Sequence, residues 1–585
     1  MGKRGSRRRG RRRLWWWAAG SAFAVALIGA GAWVGWSWWG TYQQAQAVQQ
    51  EVGQLRSSLA AQQWDGVDAQ VEQVNESARR LSARTQAAPW RLLESMPQVG
   101  ASAQALSMLA SALVEVGQAS EPLVPYVQRI VDGQIRRGDG SIDLAALQEV
   151  APLLASFTGK VEQAEVRLEG VDVDAVRPEI GEPVRELRDE LENVLPALGT
   201  ASDLATWLPG LLGADGEREW LILLQNPAEA RGSGGFIGGY VIASADDGRI
   251  SLERTGSSSE LASQPIPADS APADAQQTWG DALERWGAFN VSPHFPMTAA
   301  LAADGMAAMG QPVDGVIAVD PQGVASLLQI TGPVSAMGKT ITAEDAAQFI
   351  TVDIYREYPD NAERDAVTLA LVEAAFQELL VAPWSPTVLV DALREPIESK
   401  RVLAWSADTE EQQWLEQSEI SGVLIDEPGS VVAVAFNNTA RNKMDAFVSA
   451  EVDYRAGRCP TEPVQESTLR VRLRNQPPAD LPADNYGYYV DPDAPLGTTR
   501  VLVHLYVPVD ANYRMSTLDG QEVPMYLASE RNRPVWWNYI ELAPGEEREL
   551  AVYFEEPTVL AVQPRVQVQP MVNQVGVAVT EQTDC

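Results

Sequence analysis

The sequence predicts a multidomain chain. A single N-terminal transmembrane helix comes first, then an all-α stalk, an α/β layer domain and a C-terminal antiparallel β-sandwich. Three observations carry this expectation. An uncharged apolar stretch follows a basic head. A helical hydrophobic period comes next. Past residue 215 that period gives way to strands alternating with helices, and then to short, regularly punctuated strands. At 585 residues the chain is too long for one hydrophobic core.

The head, residues 1–13, holds eight basic side chains, from Lys3 and Arg4 to Arg12 and Arg13. It precedes LWWWAAGSAFAVALIGAGAWVGWSWW, Leu14 to Trp39, in which no charge falls. At about 1.5 Å per residue such a segment crosses a hydrocarbon core of about 30 Å with some tilt. Trp15, Trp16 and Trp17 stand at one end and Trp36, Trp38 and Trp39 at the other, the placement of interfacial aromatic belts. With the arginines held in the cytoplasm, residues beyond Gly40 are expected outside a plasma membrane that the chain crosses once. A cleaved signal peptide is the rival reading.

Residues 40–214 read as the stalk. Val48, Val52, Leu55 and Leu59 step by fours and threes, as do Val67, Val71, Val74, Ala78 and Leu81 after a break at Trp64-Asp65-Gly66. Further amphipathic stretches run over 105–116, 144–157 and 184–198, and GDGSID at 138–143 reads as a turn. Such stripes are packing surfaces.

Residues 215–400 carry the α/β pattern. WLILLQ (220–225), FIGGYVIAS (236–244) and RISLERT (249–255) read as strands, the last two joined by ADDG in a hairpin. The polar stretch 256–277 reads as a long surface loop. VDGVIAVD (313–320) reads as a buried strand leading to a helix with Pro321 in its first turn. Two more helices are expected over 342–358 and 362–380. Residues 401–585 hold short alternating runs such as SVVAVAFNNT, STLRVRLRNQ and TRVLVHLYVP, the signature of a sandwich.

Charge narrows the function. Acidic residues number 79 against 45 basic, for a net charge of −34. Setting aside the eight in the head leaves 37 basic side chains for the rest of the chain. A body that acidic repels nucleic acid, and a phosphate-bearing ligand needs a local basic pocket. The two cysteines, Cys459 and Cys585, are expected to pair outside the membrane, with two unpaired thiols as the alternative. With two histidines, His294 and His504, they make a poor set for zinc.

Several stretches invite chemistry. NPAEARGSGGFIGGY (226–240) crowds glycines around Arg231. Gly232, Gly234 and Gly235 either form an anion nest beside the Arg231 fork or only permit a bend into the next strand. GKT at 338–340 lacks the spacing and the strand–loop–helix frame of a phosphate loop. Asp353, Arg356, Asp360, Glu363, Arg364 and Asp365 form the densest charge cluster. It reads either as a solvated helix face or as arginines around a pyrophosphate, with Asp353 or Asp365 holding Mg²⁺. His294 follows a proline-bounded turn, with no nucleophile or orienting acid evident beside it.

LLQNPAEARGSGGFIGGYVIASADDGRI, the segment from FPMTAALAADG to LLQITGPV, and NNTARNKMDAFV together resemble a bacterial family catalogued as domain of unknown function 4012. PWRLLESMPQVG and GDGSIDLAAL resemble its membrane-proximal helical part. The resemblance implies an anchored protein of the Gram-positive envelope without an agreed activity. In element order the central domain also resembles the LytR-CpsA-Psr phosphotransferases, which move cell-wall polymers from a polyprenyl pyrophosphate carrier. That likeness implies pyrophosphate-binding roles for Arg231 and Arg364. The chain departs from the family's pattern where GSGGFIG and TGSSSE replace arginine-aspartate pairs. Two functions are therefore expected. One is binding of a polyprenyl-phosphate-linked glycan, with aid to its transfer to the wall. The other is a non-enzymatic scaffold or sensor that contacts other envelope proteins.

Overall fold

The computed structural model describes residues 38–58, 61, 63, 66–97, 99–131, 135–381, 386–487 and 493–583. The chain divides into two compact units, Met1–Arg137 with Asp143–Gly210, and Gly138–Ile142 with Leu211–Cys585.

The first unit is all-helical. Residues 38–58 are helical, and α1 (Val67–Thr85), α2 (Gly100–Ser120), α3 (Leu144–Glu169) and α4 (Pro178–Leu211) follow. Val48, Leu81, Leu106, Val161, Leu168 and Val184 share one core around Trp90. The Trp90 indole donates to Ala103 O at 3.1 Å and Ser107 Oγ at 2.9 Å, so its polar edge is satisfied inside. Asn75 donates to Gly117 O at 2.9 Å, and a Cβ at 117 would lie 1.9 Å from Asn75 Oδ1. Glycine lets α1 and α2 approach there.

One part of the expected fold class is corrected here. Among the described residues no helix is long and apolar enough to cross a membrane. Most of the expected span, residues 14–37, lies outside the described residues. Trp38, read from the sequence as part of an interfacial belt, instead stacks on Trp90 at 5.5 Å with Arg177 over its ring. An aromatic residue next to an apolar run serves a helical core as well as a headgroup layer, and sequence position does not separate the two. The described chain is multidomain α/β with several sheets.

The second unit contains a mixed five-stranded sheet and two further sheets packed face to face. The first sheet comprises β1 (Arg218–Arg231), β2 (Gly234–Asp246), β3 (Arg249–Ser257), β4 (Gly315–Val319) and β5 (Val402–Ser406), in the order β3-β2-β1-β4-β5. Only β1 and β4 are parallel. Asp247 (φ 44°) and Gly248 (φ 79°) make the tight β2–β3 turn, a left-handed pair that Asp-Gly tolerates. One sheet face is buried by Leu261, Ile266, Trp286, Phe289, Phe295 and Leu301. The expected surface loop at 256–277 supplies part of this core. Ser257 and Glu260 form a capping box on a short helix, and Ala273–Trp279, here α5, follows. The other face meets α6 (Pro321–Thr331), capped by Asp320, and α7 (Asn361–Val381).

The sandwich pairs two sheets. One runs β11 (Tyr526–Glu530), β12 (Arg533–Leu542), β9 (Thr499–Tyr506), β6 (Val431–Asn438), β14 (Arg565–Val568). The other runs Gln521–Glu522, β10 (Asn512–Leu518), β13 (Glu547–Pro557), β8 (Val464–Asn475), β7 (Val448–Gly457), β15 (Gly576–Gln582). Phe436, Tyr454, Val471, Val503, Trp536 and Phe554 fill the space between them. The expected antiparallel pattern holds for the inner strands, whereas β14 and β15 join as parallel edges. Cys459 is buried and is not a free thiol; its expected partner Cys585 lies outside the described residues.

Candidate functional site

The residues singled out around Arg231 sit where the mixed sheet meets the sandwich. β1 does not end at Gln225, as the Asn-Pro step suggests. It bulges between Asn226 and Ala230 and pairs again, Ala230 with Gly235 and Arg231 with Gly234. Asn226 Oδ1 accepts from Ala228 N at 3.0 Å and holds the bulge. The glycines permit close backbone approach. A Cβ at Gly232 would lie 2.0 Å from Val291 O, and one at Gly235 would lie 2.3 Å from Asn226 C. Gly234 adopts φ 140°.

Arg231 is buried, and its fork is bonded within the chain. Nη2 donates to Glu229 Oε1 at 2.7 Å, and Nη1 donates to Asn438 O and Ala230 O, each at 3.0 Å. Glu229 Oε2 pairs with Lys443. Ala230 N donates to Asp445 Oδ2 at 2.8 Å, and Asn438 Nδ2 donates to the same oxygen at 2.9 Å. Gly232 N donates to Asn437 Oδ1 at 3.0 Å. Two cations and two carboxylates are thus enclosed between β1 and the β6–β7 connection.

The titrations follow from this enclosure. Burial alone would raise Glu229, but Lys443 and Arg231 outweigh it and hold the carboxyl below its usual value. Burial opposes charge on Lys443 too, yet Glu229 leaves it raised. Asp445 is pushed by burial to about 6, against hydrogen bonds from Ala230 and Asn438.

Arg364 is also buried and internally bonded. Nη1 donates to Tyr358 O at 2.9 Å and Pro359 O at 2.8 Å, Nη2 pairs with Asp484 at 2.7 Å, and the guanidinium lies 5.1 Å from the Tyr355 ring centre. Tyr355 accepts from Asn226 Nδ2 at 3.1 Å, so this ring stands between the two arginine clusters. Arg356 differs: its side chain is 51% exposed and meets Asp480 at 3.7 Å. Asp353 ends a π-turn, Phe349–Asp353, and Asp365 is half-buried, its carboxyl raised by burial. Among the described residues no three acidic, histidine or cysteine side chains gather as a metal group. GKT lies in the hairpin Val334–Ala336/Lys339–Ile341, where Lys339 pairs with Glu357.

Two more polar clusters join the sheet to the sandwich. Glu530 accepts from Ser292, Tyr506 and Trp279, and burial raises its carboxyl. Asp320 caps α6 and binds Arg401 at 2.7 Å, while Arg401 donates to Met571 O at 2.7 Å. His294 is buried: Nδ1 accepts from Leu424 N, Nε2 meets Arg531, and burial lowers its pKa to about 3. It is a neutral structural ring at ordinary pH.

Sequence reasoning missed Glu229, Lys443, Asp445 and the asparagines. The signal was present in NNTARNKMD, a polar run that begins at the last two positions of a strand buried along its whole length. Buried polar groups are bonded groups, and such a run asks for internal partners.

A family model described as protein of unknown function, DUF4012, matches residues 215–355. That span holds the mixed sheet's first four strands and Arg231. No curated protein matches the chain. Among solved structures, the transcriptional regulator yvhJ from Bacillus subtilis is 12% identical and covers 35% of this chain and 77% of its own, with a TM-score of 0.19. A likeness that slight carries no argument, and the LytR-CpsA-Psr resemblance gains nothing from it.

Proposed function

We propose that this protein is a non-enzymatic scaffold or sensor of the bacterial envelope, acting outside the cytoplasm through contacts with other envelope components. The observation that carries the reading is the internal saturation of Arg231 and Arg364. Each guanidinium already meets carbonyl and carboxylate acceptors from the chain itself. Freeing Arg231 for a phosphate leaves the buried Glu229 carboxylate and Asn438 carbonyl short of a donor, at a cost of about 1–3 kcal/mol for each. Cys459, buried and not a free thiol, fits an oxidising compartment, and its pairing with Cys585 belongs to this proposal. A membrane-impermeant crosslinker applied to intact cells should join the full chain to other envelope proteins. A chain that stays uncrosslinked would sink the reading.

A second reading, binding of a polyprenyl-phosphate-linked glycan, has Arg356 in its favour, because that guanidinium is exposed. Mass spectrometry of lipids co-purifying with the full chain tests it. A polyprenyl phosphate lost in Arg356→Gln supports it, and a lipid-free protein rejects it.

A further inference from the structure

The outer face of the β11-β12-β9-β6 sheet changes character along its length. At one end it is covered. Ala433, Ala435, Tyr506 and Val535 pack with Leu424 and Trp279, and Trp279 stands edge-on to His504 at 4.6 Å. At the other end the same alternation continues without a cover among the described residues. Pairing in register sets Tyr526 beside Trp537, and Trp537 beside His504. One step along, Tyr539 lies beside Leu502, and beyond it Glu541 lies beside Arg500. Tyr526 stacks on Trp537 at 4.2 Å and 15°, and Tyr539 stands at 85° to Trp537 at 5.7 Å. Tyr526 is 55% exposed and Tyr539 42%. Large rings held this far out of a core mark a contact surface.

We infer that this open end is a binding platform for a neutral polysaccharide chain. The inference rests on the envelope reading only in that such chains are then within reach. Three features favour a sugar. A pyranose presents a face of C–H bonds, whose positive edges suit the negative face of an aromatic ring. The rings are flanked by groups able to bind hydroxyls. Arg500 uses Nε for Thr439 Oγ1 at 3.1 Å and lies 5.3 Å from the Tyr539 ring centre, and Glu541 lies opposite it in register. Finally, a chain of net charge −34 repels polyanions, which selects a neutral glycan over a phosphate-rich polymer. The cross-strand stacking also fixes the rings before binding, so little rotamer freedom remains to be lost.

The test is titration of the purified full chain with neutral oligosaccharides, read by tryptophan fluorescence. The probes are the N-acetylglucosamine tetramer, cellotetraose and a neutral galactan, with poly(glycerol phosphate) as the anionic control. At least one neutral probe should bind and the anionic one should not. Tyr526→Ala with Tyr539→Ala should weaken binding by about tenfold or more. Leu527→Ala, on the same strand but facing the other way and 64% exposed, should leave it unchanged. Circular dichroism confirms that each variant is folded. The inference is overturned if no neutral probe binds, or if the double variant binds as well as the parent. It is likewise overturned if a proline-rich peptide binds the rings in preference to every sugar, or if Tyr526→Ala disperses a dimer formed through this face. Crosslinking to envelope proteins stands or falls separately, so failure here leaves the scaffold reading testable.

Discussion

Two regions of the second unit, the polar seam and the aromatic face, reverse the usual distribution of residue types. The seam buries Arg231, Glu229 and Asp445 and half-buries Lys443, whereas the open end of the sandwich sheet exposes Tyr526 and Tyr539. Charged groups are rarely buried unless paired, and here each cation has a carboxylate partner. The difference separates two uses of side-chain chemistry. In the seam, charge is satisfied internally and fixes how the mixed sheet docks on the sandwich. On the face, ring area is kept open. By residue type alone the opposite distribution is expected, with charged groups at the surface and aromatic rings largely inside.

Removing one partner of the seam should have the largest effect. Arg231→Met leaves Asn438 O and half of Glu229 without a donor, and should cost about 3–5 kcal/mol. Urea unfolding of the full chain measures it. Arg356→Met, at an exposed guanidinium, should change stability by less than about 0.5 kcal/mol. If the two variants unfold alike, Arg231 is not a structural group and the contrast between seam and surface fails. Gly232→Ala should come next, at about 1–3 kcal/mol, because its Cβ meets the backbone at Val291. An unchanged midpoint would mean that the backbone at Val291 yields to the added Cβ and that packing does not require the glycine.

Asp445 sharpens the comparison through pH. Its folded pKa of about 6 exceeds the ordinary 3.8, so its contribution to stability is fully present below about pH 3.8 and is lost as pH rises through about 6. His294 and His504 act oppositely. Each is lowered by burial to about 3, so their contribution is present above pH 6.5 and is lost as pH falls toward 3. Between about pH 6 and pH 4 the aspartate therefore offsets part of the loss from the histidines. Asp445→Asn removes that offset. The variant should lose stability more steeply than the parent on acidification across this window, as read from unfolding midpoints at half-unit steps. Parallel slopes would show that Asp445 does not take up a proton on folding.

Much of this architecture was legible because it is local. The Asp247-Gly248 turn, the Asp320-Pro321 helix start and the alternation of the sandwich strands are each set by neighbouring residues. What escaped was decided at long range. Asn226-Pro227 is a strand breaker by propensity, yet β1 continues past it because the neighbouring Gly235 and the distant Asp445 both supply partners. Ser257-x-x-Glu260 is a short-range capping signal, but it was hidden in a stretch whose composition reads as loop. Trp38 fits an aromatic belt and a helical core equally well from its neighbours, and only Trp90 distinguishes them. At the candidate site, glycine and arginine were visible, whereas the acceptors that occupy the arginine include one on β6, at Asn438, far along the chain.

The smallest stability effect belongs to the aromatic face and completes the contrast. Tyr526→Ala removes a ring that stacks on Trp537 at a sheet edge but buries little area, so unfolding should shift by about 0.5–1.5 kcal/mol. Trp279→Ala, at the covered end of the same face, also strips a donor from the buried Glu530 and should cost more, about 3 kcal/mol. One variant removes an uncovered ring of the sheet and the other a ring of α5 that covers it, so the gap between them measures what the cover adds. A Tyr526→Ala cost as large as that of Trp279→Ala would mean that the open rings hold the sandwich together, and their exposure would then be incidental to binding. A small cost leaves stability unable to account for a stacked ring pair held in solvent, and contact with a ligand becomes the remaining physical reason for it.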